Sequence, residues 1–545
     1  MSVPRRLVAA GLVAAVVAGV AACGGGSGSD EGDGGGSGGS GSDAESAGAL
    51  AGTGGGECTE ERRGGELTVA VPSFTLGLDP MVALGSAVHG GTETTAIYGT
   101  LLRFDPESGE YEGHLAESVE GNEDSTEWTL TLRDGVTFGD GTPVTAEAVR
   151  FSVERMKDST ANSGGLAQEV ASMEVVDDRT IVFRLAQPWG TFPYVLAEEA
   201  GMVVNPAVAA SIGAEELNTA PPPGAGAGPY VVERFARDEE VVLRAKDDWW
   251  GGPVCIERLR FVSVPGGDAT YEAFRSGEVQ AAILTDDQAR ADAEADGVEG
   301  YGQAGGLGTM LVMNNGRTPS PTEDQRVREA AALALDLDVL NDRVYGGAAE
   351  VGSSVMPADS PVYGGEGPPH DPARAAELVD EAKADGWDGE IEILGNDTPV
   401  HAETLITVEA MLESVGFEVE VRNVPTAELN RLVIAEGRYE MALYGPVVLE
   451  ESTVVDMTQF EGGSPSNRLG YADADMDAAV ALVRSATDRS STRSAMEAVQ
   501  SAWNATIPSA NMFMSTWWWA LDPSLRGVVW TRDVTPVFDT AWLAD

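Results

Sequence analysis

Three cysteines, four histidines, three consecutive tryptophans and a large excess of carboxylates are the side chains here that could do chemistry. Cys23 directly follows Val20, Ala21 and Ala22, and that small-residue run follows Arg5, Arg6 and an apolar stretch from Leu7 to Val20. A basic start, a short apolar core and small residues at a cut site form a secretory signal peptide. The apolar stretch is shorter than the roughly 20 residues a membrane-spanning helix needs. A thiol just past the cut looks like that of a bacterial lipoprotein signal, so cleavage of residues 1–22 and lipidation of Cys23 are expected. Cys58 and Cys255 remain, and an even pair in an oxidising compartment suggests a disulfide, two buried thiols being the other reading.

The remaining candidates argue mostly against catalysis. His89, His114, His370 and His401 do not pair at metal-ligand spacing, so neither a metal nor another cofactor is expected. No GxSxG elbow occurs to activate a serine. The run from Gly224 to Gly228 mimics a nucleotide loop, but strand-like Tyr230, Val231 and Val232 follow it where a phosphate site needs a helix. Acid pairs are everywhere, so a pair of carboxylates does not identify a glycosidase. A lipid-anchored extracellular hydrolase is the rival class, and a binding protein without enzymatic activity is the expectation.

The acids decide more by their number. With 88 Asp and Glu against 34 Lys and Arg, the formal charge is -54. Such a chain repels phosphate backbones and anionic lipid heads, which excludes nucleic acid and leaves membrane attachment to the lipid. Capture of cationic ligands is one reading of the acidity; solvation of an extracellular surface is the other. The 545 residues and 43% hydrophobic composition suffice for about two or three domains. No later stretch approaches a membrane span, so a soluble body is expected.

These residues need elements to position them. Residues 24 to 57 are Gly, Ser, Ala and acids, a composition that stays disordered and reaches about 30–35 Å as a coil. Leu67, Val69 and Val71 alternate as a strand, as do Trp128, Leu130 and Leu132. Thr145 caps a helix carrying Val149, Val153 and Met156 on one face. Val175 to Phe183, around the Asp177-Asp178 turn, reads as a hairpin, and Val231 to Leu243 as another. Asp371 and Pro372 start a helix; Leu405, Val408, Leu412 and Val415 mark one that Gly416 ends before a strand through Phe417, Val419 and Val421. Hairpins early and helix–strand units late predict an α/β or α+β protein of two lobes.

Several blocks then match a known family in order. They are Leu78-Asp79-Pro80, Thr100 to Pro106, His114 to Ser118, Trp128 to Val136 continuing through Thr142 to Ala146, Gly226 to Tyr230, Asp248 to Gly252, and Arg326 to Ala330 with Ala334 to Asp336. Tyr471, Asp477 and Ile507-Pro508 complete the series. The chain resembles the extracellular solute-binding proteins of family 5, the oligopeptide, dipeptide and nickel binders that feed ABC importers. The resemblance implies an α/β fold, a two-lobed periplasmic-binding-protein-like clamp of type II with an extra subdomain. It places a lipidated Cys and linker over 23–59, the first lobe over 60–265 plus 520–545 with a subdomain at about 100–205, and the second lobe over 266–519. Hinge crossovers would lie near Pro265 to Gly267 and near Ala520 to Pro523. Cys58 and Cys255 would both fall in the first lobe, near strands that pair in the family, which supports their disulfide.

Its implied partners are a peptide or other small solute, ABC permease subunits, and the membrane through the lipid; the protein would be a monomer that closes on its ligand. A peptide-signal receptor on the same fold is a further alternative. Aligned ligand segments are Leu84-Gly85-Ser86-Ala87, with His89 nearby, and Tyr444-Gly445-Pro446-Val447, where extended backbone would pair with peptide. Gly85 and Gly445 would permit close backbone approach. Peptide binders carry a Trp and an Asp in the second segment; this chain has Pro446 and Leu449 near those places, so Glu450 or Glu451 would have to supply the charge. Trp517 or Trp519 would favour sugars or apolar groups if either faced the cleft, which keeps an oligosaccharide or a metal chelate as alternative ligands.

Overall fold

The computed structural model describes residues 56–544 together with Gly52 and Gly54, apart from residues 74, 83–85, 160–161 and 238. The signal peptide, Cys23, most of the linker, Leu84 and Gly85 lie outside the described residues. The chain divides into two units, residues 1–48 and 49–545, and the described residues all belong to the second.

In chain order the strands are β1 (Glu66–Val71), β2 (Leu102–Asp105), β3 (Glu110–Gly113), β4 (Ala116–Gly121), β5 (Glu127–Leu132), β6 (Val170–Val175), β7 (Thr180–Leu185), β8 (Tyr230–Ala236), β9 (Glu240–Ala245), β10 (Arg258–Ser263), β11 (Ala281–Leu284), β12 (Gly300–Met313), β13 (Glu390–Asn396), β14 (Glu418–Val424), β15 (Met441–Tyr444) and β16 (Ser509–Leu521). Ten of them form one sheet in the order β14-β13-β15-β12-β16-β11-β1-β10-β9-β8. β1 is buried on both faces and not only at its alternating apolar positions, because parallel neighbours β10 and β11 flank it inside the sheet. A separate antiparallel sheet, β4-β5-β7-β6, spans residues 116–185. There β5 keeps the expected alternation, burying Trp128, Leu130 and Leu132. The helix Ala146–Met156 buries Val149, Val153 and Met156, and its Thr145 cap accepts from the Ala148 N–H.

Two long strands carry the chain between the halves of the large sheet. The early part of β12, Gly300 to Gly305, pairs with Ser515 to Ala520 of β16, and β16 there pairs onward with β11. The late part, Met310 to Met313, pairs with β15 and with the start of β16. The register breaks between Gly305 and Met310. The segments at the expected crossovers, Pro265–Gly267 and Ala520–Pro523, border strands of the half that contains β1. β11, downstream of Gly267, pairs with β1, and Ala520 and Leu521 pair with β11. Gly and Pro marked ordinary turns there, while the passage between halves is made by continuous strand. The final residues return to the β1 half, where Leu525, Val528, Trp530, Phe538 and Ala541 join its apolar core.

Cys58 and Cys255 form a disulfide with Cα atoms 5.7 Å apart. It ties the segment before β1 to the segment before β10, and the Gly64 N–H donates to the Cys255 carbonyl beside it. A crosslink that closes so long a loop restricts the unfolded chain strongly. Cys255→Ser is therefore expected to lower unfolding free energy by about 2–5 kcal/mol. An unchanged denaturation midpoint would contradict this.

Candidate functional site

The glycine-rich bulge of β12 organises the region between the halves. Gly306 exchanges two backbone hydrogen bonds with Val448, at 2.8 and 2.9 Å. Leu307, fully buried, holds φ at 55°, a left-handed conformation uncommon for a branched residue. A side chain on Gly306 would lie 1.9 Å from the Val355 carbonyl oxygen, and one on Gly445 would lie 2.1 Å from that of Gly308. Gly445 is thus glycine because β12 backbone occupies its open side. The close backbone approach expected at Gly445 is thus made by β12. Val447 packs its side chain over Gly305, and Tyr444 is half-buried at the end of β15.

The first expected segment is only partly described. Its approach is anchored by Asp79, which pairs with Arg155 at 2.7 Å and accepts from the Met81 N–H. Ser86 leads into the short turn Ala87–His89, and its carbonyl accepts from the Gly91 N–H. The His89 side chain lies outside what is described.

A cluster that the sequence reading did not assemble lies beside the second segment. Glu198 and Glu199 follow the helix Pro193–Ala197. Arg532 and Asp533 sit in the turn joining the short strands Val529–Thr531 and Thr535–Val537. Arg532, 1% exposed, places Nε 2.9 Å from Glu198 and Nη1 2.8 Å from Asp533. From the other side Glu451, 5% exposed, accepts the Asp533 N–H at 2.8 Å through Oε1. Asp533 and Val534 both hold positive φ, at 53° and 47°. Backbone conformations of this kind persist where surroundings impose them and concentrate at functional sites. Burial, reinforced by Asp533, pushes Glu451 up to about 8. Burial likewise raises Glu198 despite Arg532, raises Asp533, and lifts Asp456 to about 7.

Glu450, the expected ligand carboxylate, is already paired. Arg489 holds it through Nη2 at 3.0 Å and also donates to the Pro106 and Glu107 carbonyls, 3.1 Å each. Glu451, not Glu450, enters the cluster, because the guanidinium of Arg489 neutralises one neighbour and leaves the other buried. One signal for Glu198 and Glu199 existed: two adjacent acids inside the apolar run from Tyr194 to Val204. Nothing in the sequence pointed to Arg532 and Asp533 beside them.

The aromatic and histidine candidates separate by face. Trp519 is fully buried, its ring 6.3 Å from Trp530 in the core of the β1 half. It packs and does not line a cleft, since alternate positions of β16 face the core of that half. Trp518 covers Gly300 and Gly302, and Trp517 stays half-buried. His114 is a buried structural link: Nδ1–H donates to the Thr100 carbonyl and Nε2 accepts from Arg103, both at 3.0 Å. Burial and then Arg103 lower it to about 3, so it stays neutral. Among the described residues no group of three His, Cys, Asp or Glu side chains is arranged to hold a metal ion, and no helix is long and apolar enough to cross a membrane.

The family described as bacterial extracellular solute-binding proteins, family 5 Middle, matches residues 110–466. A probable D,D-dipeptide-binding periplasmic protein of Escherichia coli is 25% identical over 487 residues, covering 85% of this chain and 91% of that protein. The oligopeptide-binding protein AppA of Bacillus subtilis, solved with a nonapeptide, has a TM-score of 0.71 at 19% identity, over 89% of this chain and 100% of its own. An agropinic acid complex from A. tumefacien R10 has a TM-score of 0.71 at 22% identity, over 88% of this chain and 99% of its own. The fold is therefore the two-lobed clamp of periplasmic binding proteins.

The close approach at Gly445 yields a direct test. Gly445→Ala forces a methyl group against the Leu307 and Gly308 carbonyls, and is expected to cost about 1–3 kcal/mol of stability. A wild-type midpoint in chemical denaturation would contradict the geometry.

Proposed function

Because the chain belongs to the bacterial extracellular solute-binding proteins of family 5, we propose that it captures a small solute, a short peptide in first place, between its two lobes and delivers it to an ABC permease. No covalent chemistry is involved in this reading. Acylation of Cys23 would hold the protein at the outer face of the membrane, and the linker over 23–59 would let the clamp turn above it.

The observation that carries this reading is the passage of β12 and β16 between the two halves of the large sheet, with a register break in the middle. Among the described residues only these two continuous strands make the passage within the sheet. We place the hinge there, at Gly305–Gly308 and the facing residues 513–515, in place of the turns at 265–267 and 520–523. The lobe that contains β1 would then extend through residue 304 and resume near residue 516.

Three contacts support closure across that hinge. Arg489 reaches the Pro106 and Glu107 carbonyls, the Gly190 N–H donates to the Arg484 carbonyl at 2.8 Å, and the Asp533 N–H donates to Glu451. A solute that touches both lobes only when they are together shifts the population toward that form. The proposed ligand surface comprises the loop at Leu84, Gly85, Ser86 and His89, with Tyr444, Val447 and Trp517, while Gly445 supports it by its contact with β12. Trp519 and Glu450 are withdrawn from it, and Glu451 is added.

The test is mass spectrometry of the purified protein, first native and then denatured. A bound mass released on denaturation and matching a short peptide is expected. A sugar or a metal chelate in its place would move the ligand class, and protein that binds no solute from a peptide library would contradict the proposal.

A further inference from the structure

Two loops of the first lobe, the turn joining β2 to β3 and the stretch after β7, meet one corner of the second lobe. That corner is residues 484–489, where the helix Ala474–Ser485 gives way to the helix Arg489–Thr506. At the first meeting point Arg489 donates through Nη1 to the Glu107 carbonyl and through Nη2 to the Pro106 carbonyl, 3.1 Å each. A side chain on Gly109 would lie 2.6 Å from the guanidinium carbon. At the second, the Gly190 N–H donates to the Arg484 carbonyl at 2.8 Å. A side chain on Gly190 would lie 2.1 Å from the Ala486 carbonyl oxygen, and the atoms nearest to it all belong to Ala486 and Thr487.

Both halves of the first contact are set before they meet. In the β2–β3 turn, Asp105 accepts from the Glu107 N–H at 3.0 Å and from the Ser108 hydroxyl at 2.6 Å, and Gly109 takes a φ of 75°. The backbone that offers the two carbonyls is thereby fixed within its own lobe. In the second lobe Glu450 holds the guanidinium of Arg489 at 3.0 Å. Arg489 is the first residue of its helix, the end where a cation opposes the helix dipole, and Glu450 offsets that placement. Groups held ready in this way lose little freedom on meeting. Beneath them Trp189 and Tyr194 share one buried apolar cluster with Val454 and Val483 of the second lobe. Closing removes that surface from water whether or not a solute is present. Each of these contacts joins protein to protein.

We propose that this corner is a clasp, with Arg489 as its positioning residue: it stabilises the closed form of the empty protein and so scales the affinity for every solute by one common factor. The inference rests on the reading of solute capture between two lobes, and adds that the solute is not the only thing that closes them. Arg489 acts from outside the ligand surface. A solute held only by the closed form binds more weakly in proportion as that form becomes rarer, whatever the solute's own chemistry.

The experiment is the distance distribution between spin labels at Val176 and Ile406, both exposed, in the solute-free protein and two variants. Arg489→Ala removes the bonds to Pro106 and Glu107. Gly190→Ala leaves Arg489 and its helix untouched and sets a methyl group against Ala486 only when the lobes are together. The unsubstituted protein is expected to show a short-distance population without solute, and each variant to lower the ratio of short to long distances at least about tenfold. A merely structural role for Arg489 would lower the denaturation midpoint and leave these distances alone. Absence of short distances in the unsubstituted protein would overturn the proposal, as would a distribution that either substitution leaves unchanged. Calorimetry with Ala-Ala-Ala, Lys-Ala-Ala and Ala-Ala-Glu then checks the common factor. Each peptide that binds is expected to weaken about tenfold in both variants. A loss confined to one of the charged peptides would mean that the Arg489–Glu450 pair touches the solute, and the clasp would be rejected. If none of the three binds, peptide capture fails, and the solute-free distances alone decide the clasp.

Discussion

Three backbone segments lie too close to the bulge of β12 for any side chain to fit between. Gly306 abuts the Val355 carbonyl, Gly308 abuts the Phe513 carbonyl, and Gly445 abuts the carbonyls of Leu307 and Gly308. Leu307 takes a left-handed conformation to make the turn. This contact fixes where β15 ends and where the following segment runs. It therefore sets the direction in which Glu451 leaves the sheet. It also interrupts the ladder between β12 and β16, so the passage between lobes is hydrogen-bonded on both sides and weakest in the middle. Low side-chain packing at a continuous backbone suits a hinge better than a flexible loop would, because hinges are few residues absorbing a large dihedral change.

The second theme is unbalanced charge in a dry place. An ion pair such as Asp79–Arg155 is self-sufficient, and Glu450 with Arg489 nearly so. The cluster around Arg532 is not. Arg532 pairs with both Glu198 and Asp533, Glu451 binds only the Asp533 backbone N–H, and a turn with positive φ at Asp533 and Val534 holds Asp533 in place. Such an arrangement would be selected against if stability were the only demand, since carboxyls held neutral by burial contribute little to folding. The excess negative charge of the chain as a whole carries no such meaning, as most of it is exposed.

Much of the fold was legible in the sequence. Thr145, Asp371 and Gly416 each act at the helix ends where their chemistry placed them. β5 alternates as its tryptophan and leucines required. The family resemblance led to the two-lobed clamp that sequence patterning alone could not have specified. The β12–β16 passage was not legible, because Gly and Pro announce turns, whereas this passage is made by strands whose glycines serve close approach. The resemblance pointed to Gly445 and the acids at 450 and 451, but which of the two acids is paired depends on Arg489, thirty-nine residues on in the sequence. Arg532 and Asp533 reach the cluster from the far end of the chain, and no local pattern encodes a pairing at that separation. Trp519 misled because three aromatics in a row suggest a platform, whereas β16 turns that face into the core.

The central claim is that two lobes close over a solute about the β12–β16 passage. The direct measurement is the distance between spin labels at Val176 and Ile406, two exposed positions on opposite lobes, before and after a pool of low-molecular-weight solutes is added. The account predicts that a broad or long distribution collapses to a single shorter distance. A distribution that stays the same, with solute demonstrably bound, would contradict it.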